Sequence, residues 1–62
     1  MYIALWELRT AKKLTLRELE ELSGVSKTHI NDIENGKTSP TVRTLELLAA
    51  ALQVKPTDLI KV

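Results

Sequence analysis

Apolar residues recur along this chain at intervals of three and four, the repeat of helices buried along one face. Leu5 and Leu8 lie three apart with Ala4 and Ala11 beside them, predicting a first helix from about Tyr2 to Lys12. Arg9, Lys12 and Lys13 gather near its C-terminal end, where the macrodipole favours positive charge. Leu16, Leu19, Leu22 and Ser23 then share a face and predict a second helix. Thr15 can cap it, Glu18 completes a Thr-x-x-Glu capping box, and Leu14 can staple onto Leu19. Gly24 supplies the stop, because it reaches positive φ without a Cβ clash. Ser26 can cap a third helix running to Glu34, with Val25 and Ile30 placed for a second staple and Ile30 and Ile33 inward. A polar loop follows from Asn35 to Pro40, dense in turn residues. Thr41 can cap a fourth helix, in which Leu45, Leu48, Ala49 and Leu52 follow the i, i+3, i+4, i+7 pattern. The run Ala49-Ala50-Ala51 permits close helix approach, and Pro56 suits the first turn of a short last helix with Leu59 inward. Strand alternation, internal repeats, low-complexity runs and interdomain linkers are not apparent. The expected fold is all-α, a compact five-helix bundle, with residues 1–62 as a single domain.

The outer face of the third helix has a different character. Lys27, Thr28, Asn31 and Asp32, at i, i+1, i+4 and i+5, form a stripe that is polar throughout. Two helices joined by a short Gly-containing turn, the second polar outside, make a helix-turn-helix. The segments Leu16-x-Glu18-Leu19, Ser23-Gly24-Val25-Ser26 and Ile30-x-Asp32-Ile33-Glu34-Asn35-Gly36 resemble the phage Cro/repressor-type family, also called the xenobiotic response element family. The resemblance continues through Lys37, Ser39-Pro40, Thr44-Leu45-x-x-Leu48-Ala49 and Leu52-x-Val54, covering the chain from about Leu5 to Ile60. A helix-turn-helix pattern alone is moderately specific; the Ile-Glu-Asn-Gly continuation and a matching downstream helix make this one strong.

The resemblance implies a lambda-repressor-like fold and a sequence-specific regulator of transcription, a repressor, that binds double-stranded DNA. The helix from about Ser26 to Glu34 would lie in the major groove. Lys27, Thr28 and Asp32 would face base edges, with Asn31 contributing. Lysine can donate to guanine, asparagine can pair with adenine, and aspartate can accept from cytosine N4. Asn35, Lys37, Ser39 and the backbone near Thr41 resemble the family's phosphate clamp, with Ser26, Arg17 and Arg43 as additions. The resemblance also implies an ion pair between Arg9 and Glu34. It implies a homodimer on an operator with two half-sites, assembled in solution or only on DNA. The end of the fourth helix and the last helix would meet, with Val54, Ile60 and Val62 as contacts. Two positions depart from the pattern. Where the family commonly has a polar residue touching phosphate, this chain has Leu16, so that contact is not carried over. Where it prefers alanine at the close helix crossing, this chain has Glu20, which must extend past the crossing or bond into it, to the Thr28 hydroxyl or to nearby amides.

Composition narrows the field further. Sixty-two residues allow one small core, near the lower limit for folding without staples. There is no cysteine, which removes disulfides and thiolate metal sites and fits a reducing cytosol; the resemblance implies a cytoplasmic protein, nucleoid-associated when bound. No apolar run approaches a membrane span. Nine basic residues against eight acidic ones give almost no net charge, so any electrostatic footprint for nucleic acid must come from sidedness. Catalytic constellations, phosphate loops and metal-ligand spacings are missing, and the expectation is a non-enzymatic chain without cofactor. His29 reads as a partly exposed neighbour of the polar stripe rather than a pH switch. Glu18, Glu20 and Glu21 read as a solvated run. Trp6 and Tyr2, four apart on the first helix, read as a patch packed on the C-terminal segment before they read as a subunit contact. A rival reading is a helical protein-interaction module that keeps the fold without binding DNA. Near-zero charge, Asp32 and Leu16 support it; the polar stripe and basic loop oppose it. A third makes the chain the DNA-binding domain of a longer regulator.

Overall fold

Thr15, Ser26 and Thr41 each turn an extended stretch into a helix, and their side chains do it in the same way. All three have extended backbone angles, and each side-chain oxygen accepts from the amide three residues on: Glu18 at 3.0 Å, His29 at 3.2 Å and Thr44 at 3.1 Å. These amides begin helices and have no intrahelical carbonyl to bond, so each cap removes an unsatisfied donor. At Thr15 the box closes, because the Thr15 amide donates back to Glu18 Oε1 at 2.8 Å. In the computed structural model, which describes residues 2–61, the order is β1 (Tyr2–Ile3), α1 (Leu5–Ala11), α2 (Leu16–Ser23), α3 (Lys27–Glu34), α4 (Val42–Leu52), α5 (Pro56–Leu59) and β2 (Ile60–Lys61). Every described helix except α5 is seven residues or longer, and none is long and apolar enough to cross a membrane.

The apolar stripes of all five helices converge on one core. Leu5, Leu19, Ile30, Leu48, Leu52 and Leu59 are fully buried, and Val25, Ile33, Leu45 and Ala49 complete the cluster. Leu8, Leu14 and Leu16 pack against it from one side, Leu47, Ala51 and Val54 from α4 and its end. Non-directional burial of this kind, at about 25 cal/mol per Å² of apolar area, is the main term holding so small a domain together.

Three expectations need correction. The first helix begins at Leu5 rather than Tyr2, because Tyr2 and Ile3 pair antiparallel with Lys61 and Ile60. Ala4 continues the tie by donating to the Leu59 carbonyl at 2.7 Å. A pairing between residues nearly sixty positions apart competes successfully with helix because Ala4 offers no side-chain cap and Ile3 and Ile60 are β-branched. The bundle therefore carries a two-residue antiparallel ribbon that the hydrophobic pattern did not indicate. It follows that Tyr2 and Trp6 are not one turn apart on a helix; Trp6 is an exposed residue of α1. Leu22, expected on the buried face of α2 with Leu16 and Leu19, is 59% exposed. Three residues turn a helix about 60° short of a full circle. Going from Leu16 to Leu19 to Leu22 therefore walks off the stripe, and Ser23 takes the buried place.

Candidate nucleic-acid interface

The helix-turn-helix is built at Gly24. Its φ of +79° ends α2 in the left-handed region, and its amide donates to the Glu20 carbonyl at 2.8 Å. No atom lies within 4 Å of where a Cβ would stand, so glycine is needed for its backbone and not for space. The Ser23 hydroxyl, buried, accepts from the Val25 amide at 3.1 Å, and Val25 drops into the core as the chain enters α3.

From there α3 divides cleanly. Ile30 and Ile33 are buried, while Lys27, Thr28 and Asn31 are exposed and Asp32 is half-buried. Lys27, Thr28 and Asn31 thus stand on the side turned away from the core, available to a ligand. Asn31 Oδ1 accepts from Asn35 Nδ2, one turn later, at 3.3 Å. A bidentate contact from Asn31 to adenine would use that same oxygen, which has a second lone pair. His29 is half-buried next to this stripe.

The far end of α3 is fixed twice. Asn35 caps it, Gly36 follows with φ +73°, the Gly36 amide donates to Ile33 at 3.2 Å and the Lys37 amide to Asp32 at 2.9 Å. This pair of back-bonds is a Schellman motif. It ties the backbone of Lys37 to α3, so the root of this exposed cation is fixed at the end of the helix. The second restraint is ionic. Arg9 Nε donates to Glu34 Oε2 at 2.6 Å and Nη2 to Oε1 at 3.1 Å, a two-pronged contact whose side chains are only 12% and 5% exposed. Arg9 Nη1 also donates to the Leu14 carbonyl at 2.8 Å. One guanidinium therefore holds α1, the link into α2 and the last turn of α3. It also neutralises Glu34, an acid at the helix end that the dipole disfavours.

The remaining candidate residues come from α2, the α3 cap, the loop after α3 and the start of α4. Arg17 is exposed in the first turn of α2, Ser39 and Lys37 in the loop after α3, and Arg43 in the first turn of α4. Ser26 is exposed with its oxygen already accepting from His29, which leaves its hydroxyl proton free to donate. Thr41 Oγ1 accepts from the Thr44 amide and lies 3.0 Å from Thr44 Oγ1. Leu16 is half-buried against the core, which accounts for an apolar residue at that place. Glu20 resolves the second departure: its Oε2 accepts from the Lys27 amide at 2.9 Å, bonding into the crossing through an amide and not through the Thr28 hydroxyl. One feature had no signal in the sequence, the Leu14 carbonyl as a second partner of Arg9; for Glu20 the sequence offered the amide among its alternatives without selecting it. Val54 and Ile60 are half-buried against the core, and Val62 lies outside the described residues. Among the described residues no group of three or more His, Asp or Glu side chains could hold a metal ion.

This arrangement has counterparts. A helix-turn-helix family model, HTH_3, matches residues 7–59. An uncharacterized HTH-type transcriptional regulator of Bacillus subtilis, RghRB, is 49% identical over 49 residues, which are 77% of this chain and 35% of that protein. A second, y4dJ of Sinorhizobium fredii, is 43% identical over 53 residues, 86% of this chain and 69% of its own. The chain thus spans about a third of the first relative and about two thirds of the second. Among solved structures, the restriction-modification controller protein C.AhdI of Aeromonas hydrophila superimposes with a TM-score of 0.87 at 36% identity. The match covers 90% of this chain and 85% of that one.

Proposed function

Since the chain belongs to the helix-turn-helix family HTH_3, a non-enzymatic family that binds double-stranded DNA, we propose that it is a sequence-specific regulator of transcription. In this reading residues 1–62 form one DNA-binding domain that lays α3 in the major groove. Lys27, Thr28 and Asn31 meet base edges directly, and the half-buried Asp32 reaches a cytosine amine from the margin of the stripe. Arg17, Ser26, Asn35, Lys37, Ser39, Arg43 and the start of α4 near Thr41 hold phosphates on either side. The observation that carries this reading is the division of α3: apolar and fully packed within, polar and exposed without, and fixed at its far end by the buried Arg9–Glu34 pair.

One recognition helix reads few bases, so two copies related by a two-fold axis are expected, working as a repressor in the cytoplasm and on the nucleoid. Their half-sites would lie about one helical turn, roughly 34–36 Å, apart. The end of α4 and α5 would supply the contact, through the partly exposed Val54 and Ile60. Because both are largely engaged with their own core, the contact is small and dimerisation would be completed on DNA. Selection from random duplex DNA tests all of this together. Enrichment of a two-part site with fixed spacing supports the reading. A site with one unrepeated element, bound one-to-one, overturns the dimer. No enrichment at low salt overturns DNA reading and leaves a protein-interaction module.

A further inference from the structure

Three opening amides of α3, those of Lys27, His29 and Ile30, are held from two sources. Ser26, the neighbouring residue, takes the Ile30 amide on its carbonyl at 2.9 Å and the His29 amide on its hydroxyl. The Lys27 amide is taken by Glu20, from a different helix. Glu20 also provides the carbonyl that receives the Gly24 amide. One residue of α2 therefore grips both sides of the turn, its backbone at Gly24 and its carboxylate at Lys27. Val25 and Ile30 fix how deep α3 sits, but apolar packing is non-directional and sets rotation and tilt loosely. A charged hydrogen bond at 2.9 Å is directional, and its carboxylate lies at the positive end of the α3 dipole, where a negative charge is favoured.

We propose that Glu20 is a positioning residue for base reading: it fixes the first turn of α3 and hence the direction in which Lys27 and Thr28 leave the helix. It also has an exclusionary role. A helix N-terminus ordinarily attracts phosphate, through free amides and the dipole. Here the Lys27 amide is occupied and the charge there is negative, so a phosphate cannot take that amide and is left to the Ser26 hydroxyl, while the Lys27 and Thr28 side chains address the bases. Glu20 thus exchanges general affinity for selectivity. This inference rests on α3 being the reading helix.

The test compares Glu20→Ala with Glu20→Gln, which keeps the acceptor and loses the charge. Base frequencies are read by selection from random duplexes, and protection of the Lys27 amide by hydrogen exchange. Glu20→Ala is expected to speed exchange at Lys27 and to flatten preference at one base pair of each half-site about fivefold, the scale of losing a helix cap. Glu20→Gln should keep both the amide protection and the preference. Both variants should bind unselected duplex about twofold more tightly at low salt, the scale of one charge about 10 Å from a phosphate in water. A merely structural role would lower the folded fraction and leave the ratios among bases unchanged. If the wild type selects a site and Glu20→Ala selects it with identical base frequencies, the role of Glu20 is refuted while the regulator stands. Equal flattening by Glu20→Gln also refutes it. If the wild type selects nothing, the DNA-binding reading falls and this one falls with it.

Discussion

Replacing Arg9 by methionine should cost this domain more than replacing Glu34 by leucine, although the two side chains form one ion pair. The asymmetry comes from what each removal leaves behind. Without Arg9, the Glu34 carboxylate stays on a short side chain that is 5% exposed, with no other ion pair among the described residues. The Leu14 carbonyl loses its guanidinium donor at the same time. Without Glu34, the Arg9 guanidinium retains the Leu14 carbonyl and sits on a long stem, so it can swing its head toward water. Breaking a buried pair from one side costs about 3–5 kcal/mol. Arg9→Met belongs at the top of that range, with about 1 kcal/mol more from the Leu14 carbonyl. Glu34→Leu belongs at the bottom.

The scale matters because a chain of this length has little stability in total. At about 0.05–0.15 kcal/mol per residue, roughly 3–9 kcal/mol separates its folded and unfolded states. Arg9→Met alone should therefore leave the domain largely unfolded at 37 °C, while the double variant Arg9→Met/Glu34→Leu recovers most of the loss, since two apolar side chains can replace a buried pair. Urea titrations of the four proteins close the double-mutant cycle, at 0.05 M and 0.5 M salt. Coupling of at least about 2 kcal/mol is expected, with little change between the two salts because the pair is shielded from solvent ions. Coupling below about 0.5 kcal/mol, the level of a surface pair, would refute this reasoning. So would Glu34→Leu proving the costlier single change.

Further outcomes follow from the interface and its turn. Lys37→Ala should weaken binding to every duplex alike and reduce the slope of log affinity against log salt by about 0.9, one phosphate contact; an unchanged slope would remove Lys37 from the clamp. Thr28→Ala or Asn31→Ala, tested by competition among single-base variants of the selected site, should cost about 1–3 kcal/mol at one position per half-site and leave the salt slope as it was. Gly24→Ala should lower stability by about 1–2 kcal/mol in urea titration through its left-handed backbone alone, and a neutral result would mean that the turn relaxes. Thr15→Ala removes the Oγ1 side of the capping box and should cost about 1 kcal/mol with no effect on base preference.

What the sequence discloses depends on how far apart the deciding residues lie. α2, α3 and α4 were legible because each carries its instructions within a few positions: Thr15 and Glu18, Gly24, Ser26, Thr41 and the Leu45–Leu52 stripe. The start of α1 was not, because Ile3 is drawn from helix by Ile60, at the other end of the chain. Leu22 misled for a different reason, since three-residue spacing repeated twice leaves the buried arc that one such step stays within. The polar stripe of α3 was visible for the reason its helix was, and the residues expected on it stand there, though Asp32 is partly covered. The support beneath the stripe was only partly visible. The family resemblance could place Glu20 at a helix crossing but could not choose between the Thr28 hydroxyl and nearby amides, of which the Lys27 amide is the one it meets. The choice is made by geometry: at the first turn of α3 the amides point back along the axis toward α2, whereas the Thr28 side chain points away from the core with the stripe. A carboxylate arriving from α2 therefore meets the amide first, and the same fact leaves the Thr28 side chain exposed on the stripe.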